Sequence, residues 1–518
     1  MKWDELPVVY QALKLRPCKS SVFTCRSLPP QPGGGNPNPP RSTKKLNTIM
    51  KVEQIYTGCL AEAAYYIESN GEAVVIDPLR ETQPYIERTK ADNARIKYVL
   101  ETHFHADFVS GHLDIARKTG ATIVYGPTAQ PNFKAHVAKD GEVLKVGNVS
   151  IVCLHTPGHT MESTTFLLRD ENGKDYAIFT GDTLFLGDVG RPDLAVKTDL
   201  SREDLAGYLY DSLRNKIMPL ADDVIVYPGH GAGSACGKKM SKETQGTLGN
   251  QKKLNYALRP DMTKAEFVKE VTTGLVEPPQ YFPKDAVMNK MGYASLDDVL
   301  KQGLSPLSPR AFKAAWEGKD ALVIDTRNRE DFAMGFVPGS IFIGLDGDFA
   351  PWVGALITDL KQPILFIADK GKESEVITRL ARVGYDNPIG YLDGGFDAWR
   401  MAGEEVDTVE ELSAKDFAKL FSSKKLQVLD TRKASEFNAE HIVDAVNFPL
   451  DFINRNMTQL SRDEKYYLYC GSGYRSLIAA SILQSRGFSS IVNIRGGFKA
   501  LVDTNLKRTE FREQMTEL

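Results

Sequence analysis

The chain has 518 residues, 42 % of them hydrophobic and 25 % charged, the balance of an ordinary globular protein with room for about three domains. A net charge of −3 supplies no basic field to hold nucleic acid or an anionic membrane, and no uncharged apolar run is long enough to span a bilayer. Six cysteines, at positions 18, 25, 59, 153, 236 and 470, are too sparse for a disulfide framework and include no CxxC pair, which fits a reducing compartment.

Residues 1–49 differ from the rest. No acidic residue stands between Glu5 and Glu53, and SLPPQPGGGNPNPP from Ser27 to Pro40 reads as a disordered linker. An acid-poor, basic, serine-containing leader has the composition of a mitochondrial transit peptide, and a dispensable leader before Met50 is the other reading. The cytoplasm is therefore the expected location, with the mitochondrial matrix as the alternative.

From Met50 to about Gly249, EAVVIDP, IKYVLETH, ATIVYGP, VSIVCLHTPGH, YAIFTGD and DVIVYPGH read as buried strands. The last five run into Gly, Pro, His or Asp clusters, the strand-end loops where α/β enzymes keep their chemistry. Residues 250–305 read as a helical and then loop-rich appendix, giving a domain over 50–305. The remainder repeats itself. ALVIDTRNREDF from Ala321 and LQVLDTRKASEF from Leu426 carry the same DTR triplet, at 325–327 and 430–432, and each copy closes on Gly-Gly-Phe, at 394–396 and 496–498. Two small parallel α/β domains follow, over 306–405 and 412–506, with a tail over 507–518.

The turn after IKYVLE carries His103, His105 and Asp107. Then come His159 in HTPGHT, Asp182 in FTGDTLF and His230 in YPGHG, each at a strand end beside a glycine that permits close approach. HxHxD, then His, Asp and His in that order, is a metal-ligand pattern. The stretch resembles the glyoxalase II-like branch of the metallo-β-lactamase superfamily, which implies an αββα sandwich. The binuclear hydrolases of that superfamily carry HxHxDH. Here Phe108 takes the place of the last histidine, and Asp107 and His230 with a shared Asp182 would hold a second ion poorly. His112 reads as a surface residue of a helix.

A mononuclear site of two imidazoles and one carboxylate suits Fe(II) and O2. The chain thus resembles the persulfide dioxygenases. That resemblance implies His103, His159 and Asp182 as ligands of one Fe(II), with Zn as the alternative metal, and His105 as a near neighbour or weak fourth ligand. GDTLFLGDVGRPDL resembles a segment of the same family. Its Arg191 either clamps the carboxylate of a thiol substrate or pairs with a nearby acid such as Asp193. Cys236 reads as a buried, inert cysteine near the pocket.

In YLYCGSGYRS, Cys470 ends a strand and Arg475 stands five positions on, ahead of a helix. Loop N–H groups from Gly471, Ser472 and Gly473, the helix N-terminus and Arg475 all favour a thiolate. The loop resembles that of the rhodanese sulfurtransferases, and Gly471 and Gly473 are expected to leave the sulfur little covered. The first copy has LFIADKGKESE in this place, without a cysteine, and reads as an inactive rhodanese-like domain. The architecture resembles persulfide dioxygenase–rhodanese fusions. It implies oxidation of a glutathione-type persulfide by O2 to sulfite, coupled to sulfur transfer through Cys470, with no nucleic acid or membrane partner and with a homo-oligomer left open. The rivals are a binuclear zinc thioester hydrolase with accessory rhodanese modules, and a sulfur-carrier scaffold.

Overall fold

The computed structural model describes residues 50–195 and 200–512. The leader read over residues 1–49 and the end of the tail lie outside the described residues.

Two six-stranded sheets build the first part. Strands Lys51–Thr57, Glu62–Ser69, Glu72–Ile76, Arg95–Glu101, Thr122–Tyr125 and His136–Val137 lie side by side in chain order. Strands Val143–Val146, Val149–His155, Thr164–Arg169, Asp175–Gly181, Ile225–Pro228 and Gly246–Thr247 form the second sheet, also in chain order. Strand alternation explains how they stack. Along Glu62–Ser69, Ala63, Tyr65 and Ile67 join Ile151, Phe166 and Phe179 of the other sheet in one core. Their neighbours Ala64 and Tyr66 face the other way, against Tyr85 and Ile115 of the helices Gln83–Ala91 and His112–Thr119. On the far side Leu167, Ile178 and Val226 pack on Leu209 and Phe267 of helices Arg202–Ser212 and Lys264–Thr272. The result is the expected αββα sandwich. Each fully buried aromatic in it, such as Tyr65 edge-on to Phe179 at 4.9 Å, contributes about 1.5–3 kcal/mol.

The repeat forms two five-stranded sheets of the same order, every pairing parallel. The first runs Pro306–Leu307, Pro388–Leu392, Ile364–Ile367, Leu322–Asp325, Ile341–Phe342. The second runs Glu410–Ser413, Ile491–Arg495, Tyr466–Tyr469, Gln427–Asp430, Val446–Asn447. The shared DTR and Gly-Gly-Phe signatures now have a physical role. Arg432 is buried against Asp430 at 2.5 Å and lies 4.1 Å from the ring of Phe498, and Arg327, Asp325 and Phe396 repeat the arrangement. Helix Leu296–Gly303, read from sequence as part of the metal domain, packs on the first of these sheets. A Cβ on Gly303 would stand 2.7 Å from Pro388.

The parts are locked together. Arg80, fully buried, reaches Asp386 at 2.8 Å and the carbonyls of Ala381 and Ala294. Arg382 pairs with Glu81 alongside. Among the described residues, no helix is long and apolar enough to cross a membrane.

Candidate metal centre and cysteine loop

Strand ends from both sheets converge on one buried cluster. Ligand atoms of His103, His159 and Asp182 lie within 4.8 Å of one another. His159 Nδ1 lies 2.9 Å from the Arg191 carbonyl, which leaves Nε2 facing Asp182 Oδ2 at 3.4 Å. His103 Nδ1 is 3.0 Å from the Thr102 hydroxyl, itself a donor to Asp77. Fixing one ring nitrogen so that the other faces the centre is how ligating histidines are held. Burial, with His105 and His159 adding to it, lowers the His103 pKa well below the ordinary value, so the ring is a neutral donor. Both oxygens of Asp182 are buried without a hydrogen-bond partner. A carboxylate in that state costs several kcal/mol unless a cation takes it, and the donor set fits a metal ion. Gly229 permits the approach, because a Cβ there would lie 2.8 Å from Asp182 Oδ1.

His105 is turned elsewhere. Its Nε2 lies 3.0 Å from Asp77 and 3.4 Å from Glu101. Against the effect of burial, these carboxylates hold it well above its ordinary pKa, as a cation. Phe108 stacks on its ring at 4.3 Å. A second group forms where Asp107, His230 and Cys236 bring ligand atoms within 4.8 Å. Burial, then the charges of Asp182 and Asp107, push the Cys236 thiol well up. His112, expected at the surface, is fully buried. It lies 3.3 Å from Glu101 and stacks on Phe133, because the start of its helix packs under the Leu79 backbone.

Cys470 follows strand Tyr466–Tyr469 at the base of a tight loop. The Gly473 N–H donates to its sulfur at 3.1 Å, and the Ser476 hydroxyl, fixed to Asn493 at 2.7 Å, lies 3.7 Å away. The residue is only 1 % exposed, so the loop covers it more than its glycines suggest. Arg475 does not point a free charge at the sulfur. Its guanidinium holds Glu436 through two bonds of 2.6 and 2.8 Å. In the first copy Ala368 stands directly after the matching strand.

One cavity of about 490 Å³ joins the two regions. Asp107 lines it from the metal domain, Asp348 and Trp352 from the first repeat, and Ser472 and Arg475 from the second.

The model of the metallo-β-lactamase superfamily matches residues 57–230, and that of the rhodanese-like domain matches residues 308–402 and 413–504. Hydroxyacylglutathione hydrolase GloC of Haemophilus influenzae is 32 % identical over 189 residues, 32 % of this chain and 84 % of that one. The chain belongs to the metallo-β-lactamase superfamily. Two rhodanese-like domains follow its metallo-β-lactamase domain. The human mitochondrial persulfide dioxygenase ETHE1 is 32 % identical over 31 % of this chain and 59 % of its own length. The matched segment spans 66 % of a probable hydroxyacylglutathione hydrolase of Schizosaccharomyces pombe, also 32 % identical. A crystal structure of a metallo-β-lactamase from Staphylococcus aureus has 31 % identity and a TM-score of 0.58, over 67 % of this chain and 99 % of that one.

In this metallo-β-lactamase domain His103, His159 and Asp182 come together, and His105 stands beside them without joining. Arg191 spends its donors on Asp193, at 2.7 Å twice, and on the carbonyls of Ala235 and Val276. Of the two roles read for it, the geometry gives the ion pair and leaves no free fork for a substrate carboxylate. In the rhodanese-like loop Gly473 touches the sulfur, Ser472 lines the cavity, and Gly471 lies beside the Arg475 guanidinium. Sequence reasoning missed Asp77 and Glu101, which hold His105, and Glu436, which holds Arg475. Each lies on another element, and no local motif announces it.

Proposed function

We propose that the chain oxidises the persulfide of a small thiol such as glutathione with O2, giving sulfite, and transfers sulfane sulfur through Cys470. The observation that carries this reading is the His103, His159 and Asp182 group, with His105 paired to carboxylates and Phe108 in place of a histidine. Two imidazoles and one carboxylate leave open positions at Fe(II), whereas the binuclear zinc hydrolases of the superfamily use further histidines. When bound, Fe(II) supplies the redox chemistry with O2 that side chains cannot.

The protein's own groups do the rest. His103 stays neutral, the Thr102 hydroxyl and the Arg191 carbonyl orient His103 and His159, and the buried pocket keeps bulk water from the reacting sulfur. The balance is RSSH + O2 + H2O giving RSH, sulfite and two protons. At the other site the Cys470 thiolate attacks the outer sulfur of a persulfide, and the thiolate RS⁻ leaves. Sulfite then attacks that sulfur, the S–S bond to Cys470 breaks, and thiosulfate departs. The Gly473 N–H stabilises the sulfur anion at both stages.

The similarity to hydroxyacylglutathione hydrolases sustains the hydrolase as second reading. Protein prepared without oxygen is expected to hold about one iron per chain, to consume O2 with glutathione persulfide and to leave S-lactoylglutathione intact. Thioester hydrolysis by a two-zinc form, without O2 uptake, would establish the hydrolase instead.

A further inference from the structure

The peptide that holds the Cys470 sulfur is itself held from the neighbouring repeat. The Gly473 N–H donates to Cys470 Sγ at 3.1 Å. That N–H and the Ser472 carbonyl belong to one planar peptide, so the carbonyl points away from the sulfur. It meets Arg329 of the first repeat, whose Nη1 donates to it at 3.0 Å. Glu330 accepts from the Arg329 Nε at 2.7 Å and fixes the direction of the guanidinium. One residue on, the Tyr474 hydroxyl donates to the Gly344 carbonyl at 2.9 Å, and its ring lies 5.7 Å from that of Phe342. A Cβ on Gly347 would stand 2.3 Å from the Tyr474 ring, so the first repeat comes this close only with glycine there. The fold of a repeat does not demand Arg329. After the matching DTR triplet the second repeat carries Ala434 in its place.

We propose that Arg329, from the repeat that has no cysteine, is a positioning residue for Cys470 and acts through the Ser472–Gly473 peptide. A cation on the carbonyl draws charge through the amide and makes its N–H a stronger donor. That N–H faces the sulfur, so the anionic forms of Cys470, thiolate and persulfide, are favoured over the thiol. The loop's own cation is engaged elsewhere, because Glu436 holds Arg475 through two bonds. The Arg329 side chain is 44 % exposed, and solvent screening limits the effect to a few-fold. The nucleophile of the second repeat is thus complete only with the first repeat docked against it. This inference rests on the reading of Cys470 as the sulfur-transferring group.

Full-length protein is pulsed with iodoacetamide across a range of pH, and alkylation at Cys470 is quantified by mass spectrometry. Arg329→Met keeps the aliphatic stem and removes the charge. It should slow alkylation near neutral pH about three-fold and displace the pH profile upward. The plateau at high pH, where the thiolate is fully formed, should not change. Arg329→Lys, which returns a cation to the carbonyl, should recover most of the loss. Coincident profiles, a lowered plateau without displacement, or a lysine variant no faster than the methionine variant overturns the proposal. Displaced profiles in a protein that makes no thiosulfate from persulfide and sulfite would sink the transferase reading and leave this one standing. Thiosulfate formation with coincident profiles would do the reverse, and a parent whose Cys470 is alkylated at no pH would overturn both.

Discussion

At the residue scale, the candidate site is governed by what each histidine's second nitrogen touches. His159 is held by a backbone carbonyl and His103 by a hydroxyl, so each turns its other ring nitrogen toward the group that includes Asp182. Asp182→Ala should therefore remove bound metal and O2 uptake together while leaving sulfur transfer by Cys470, read by metal analysis beside a thiosulfate assay. Persistence of one metal per chain would refute the ligand assignment. Phe108 is fully buried against the His105 ring. Phe108→Ala should cost about 3–5 kcal/mol of stability by opening a cavity, measured by urea unfolding. The histidines that gather at Asp182 were legible because each sits in a short motif after an apolar strand. The buried state of His112 was not. Its helix is amphipathic, but which partners cover the polar-looking face depends on Glu101 and Phe133, distant or on another element.

At the element scale, the Cys470 loop depends on a close approach by helix Gly497–Leu501. A Cβ on Gly497 would lie 2.3 Å from the Cys470 carbonyl and 2.9 Å from the Gly473 nitrogen, at a φ of +56°. Gly497→Ala should displace the loop and reduce thiosulfate formation more than ten-fold, since the N–H that holds the sulfur moves with it. O2 uptake should be retained, and an unchanged transferase rate would show that the approach is unimportant. The strands and the repeat were readable from alternation and from the DTR and Gly-Gly-Phe signatures. Helix Leu296–Gly303 touches the metal domain through Asp114 and Lys118 and also packs on the first repeat, because periodicity reveals an apolar face but not the sheet that covers it.

At the scale of the whole molecule, the repeat without a cysteine has work of another kind. It lines the cavity shared with Asp107 and Arg475 through Asp348 and Trp352, and Arg80 binds it to the metal domain. Replacing Arg80 by methionine leaves Asp386 without its partner at this interface and should destabilise the protein by about 3–5 kcal/mol in urea unfolding. A bulky Ala355→Trp in the cavity wall should leave O2 uptake and transferase activity with added substrates intact. It should nevertheless make free sulfite accumulate from persulfide alone, because the local concentration of the shared intermediate falls. No sulfite build-up would mean that the intermediate travels through solvent. Nothing in the linear sequence announced the shared cavity, since it arises only when three domains are oriented together.

The account rests on two coupled sites in one chain. Its most direct test gives the oxygen-free purified, iron-loaded protein glutathione persulfide as sole sulfur substrate, then follows O2, sulfite and thiosulfate together. The expected result is O2 consumption equimolar with thiosulfate, changing to equimolar sulfite in Cys470→Ser. No O2 consumption, or sulfite as the sole product of the unaltered chain, would contradict it.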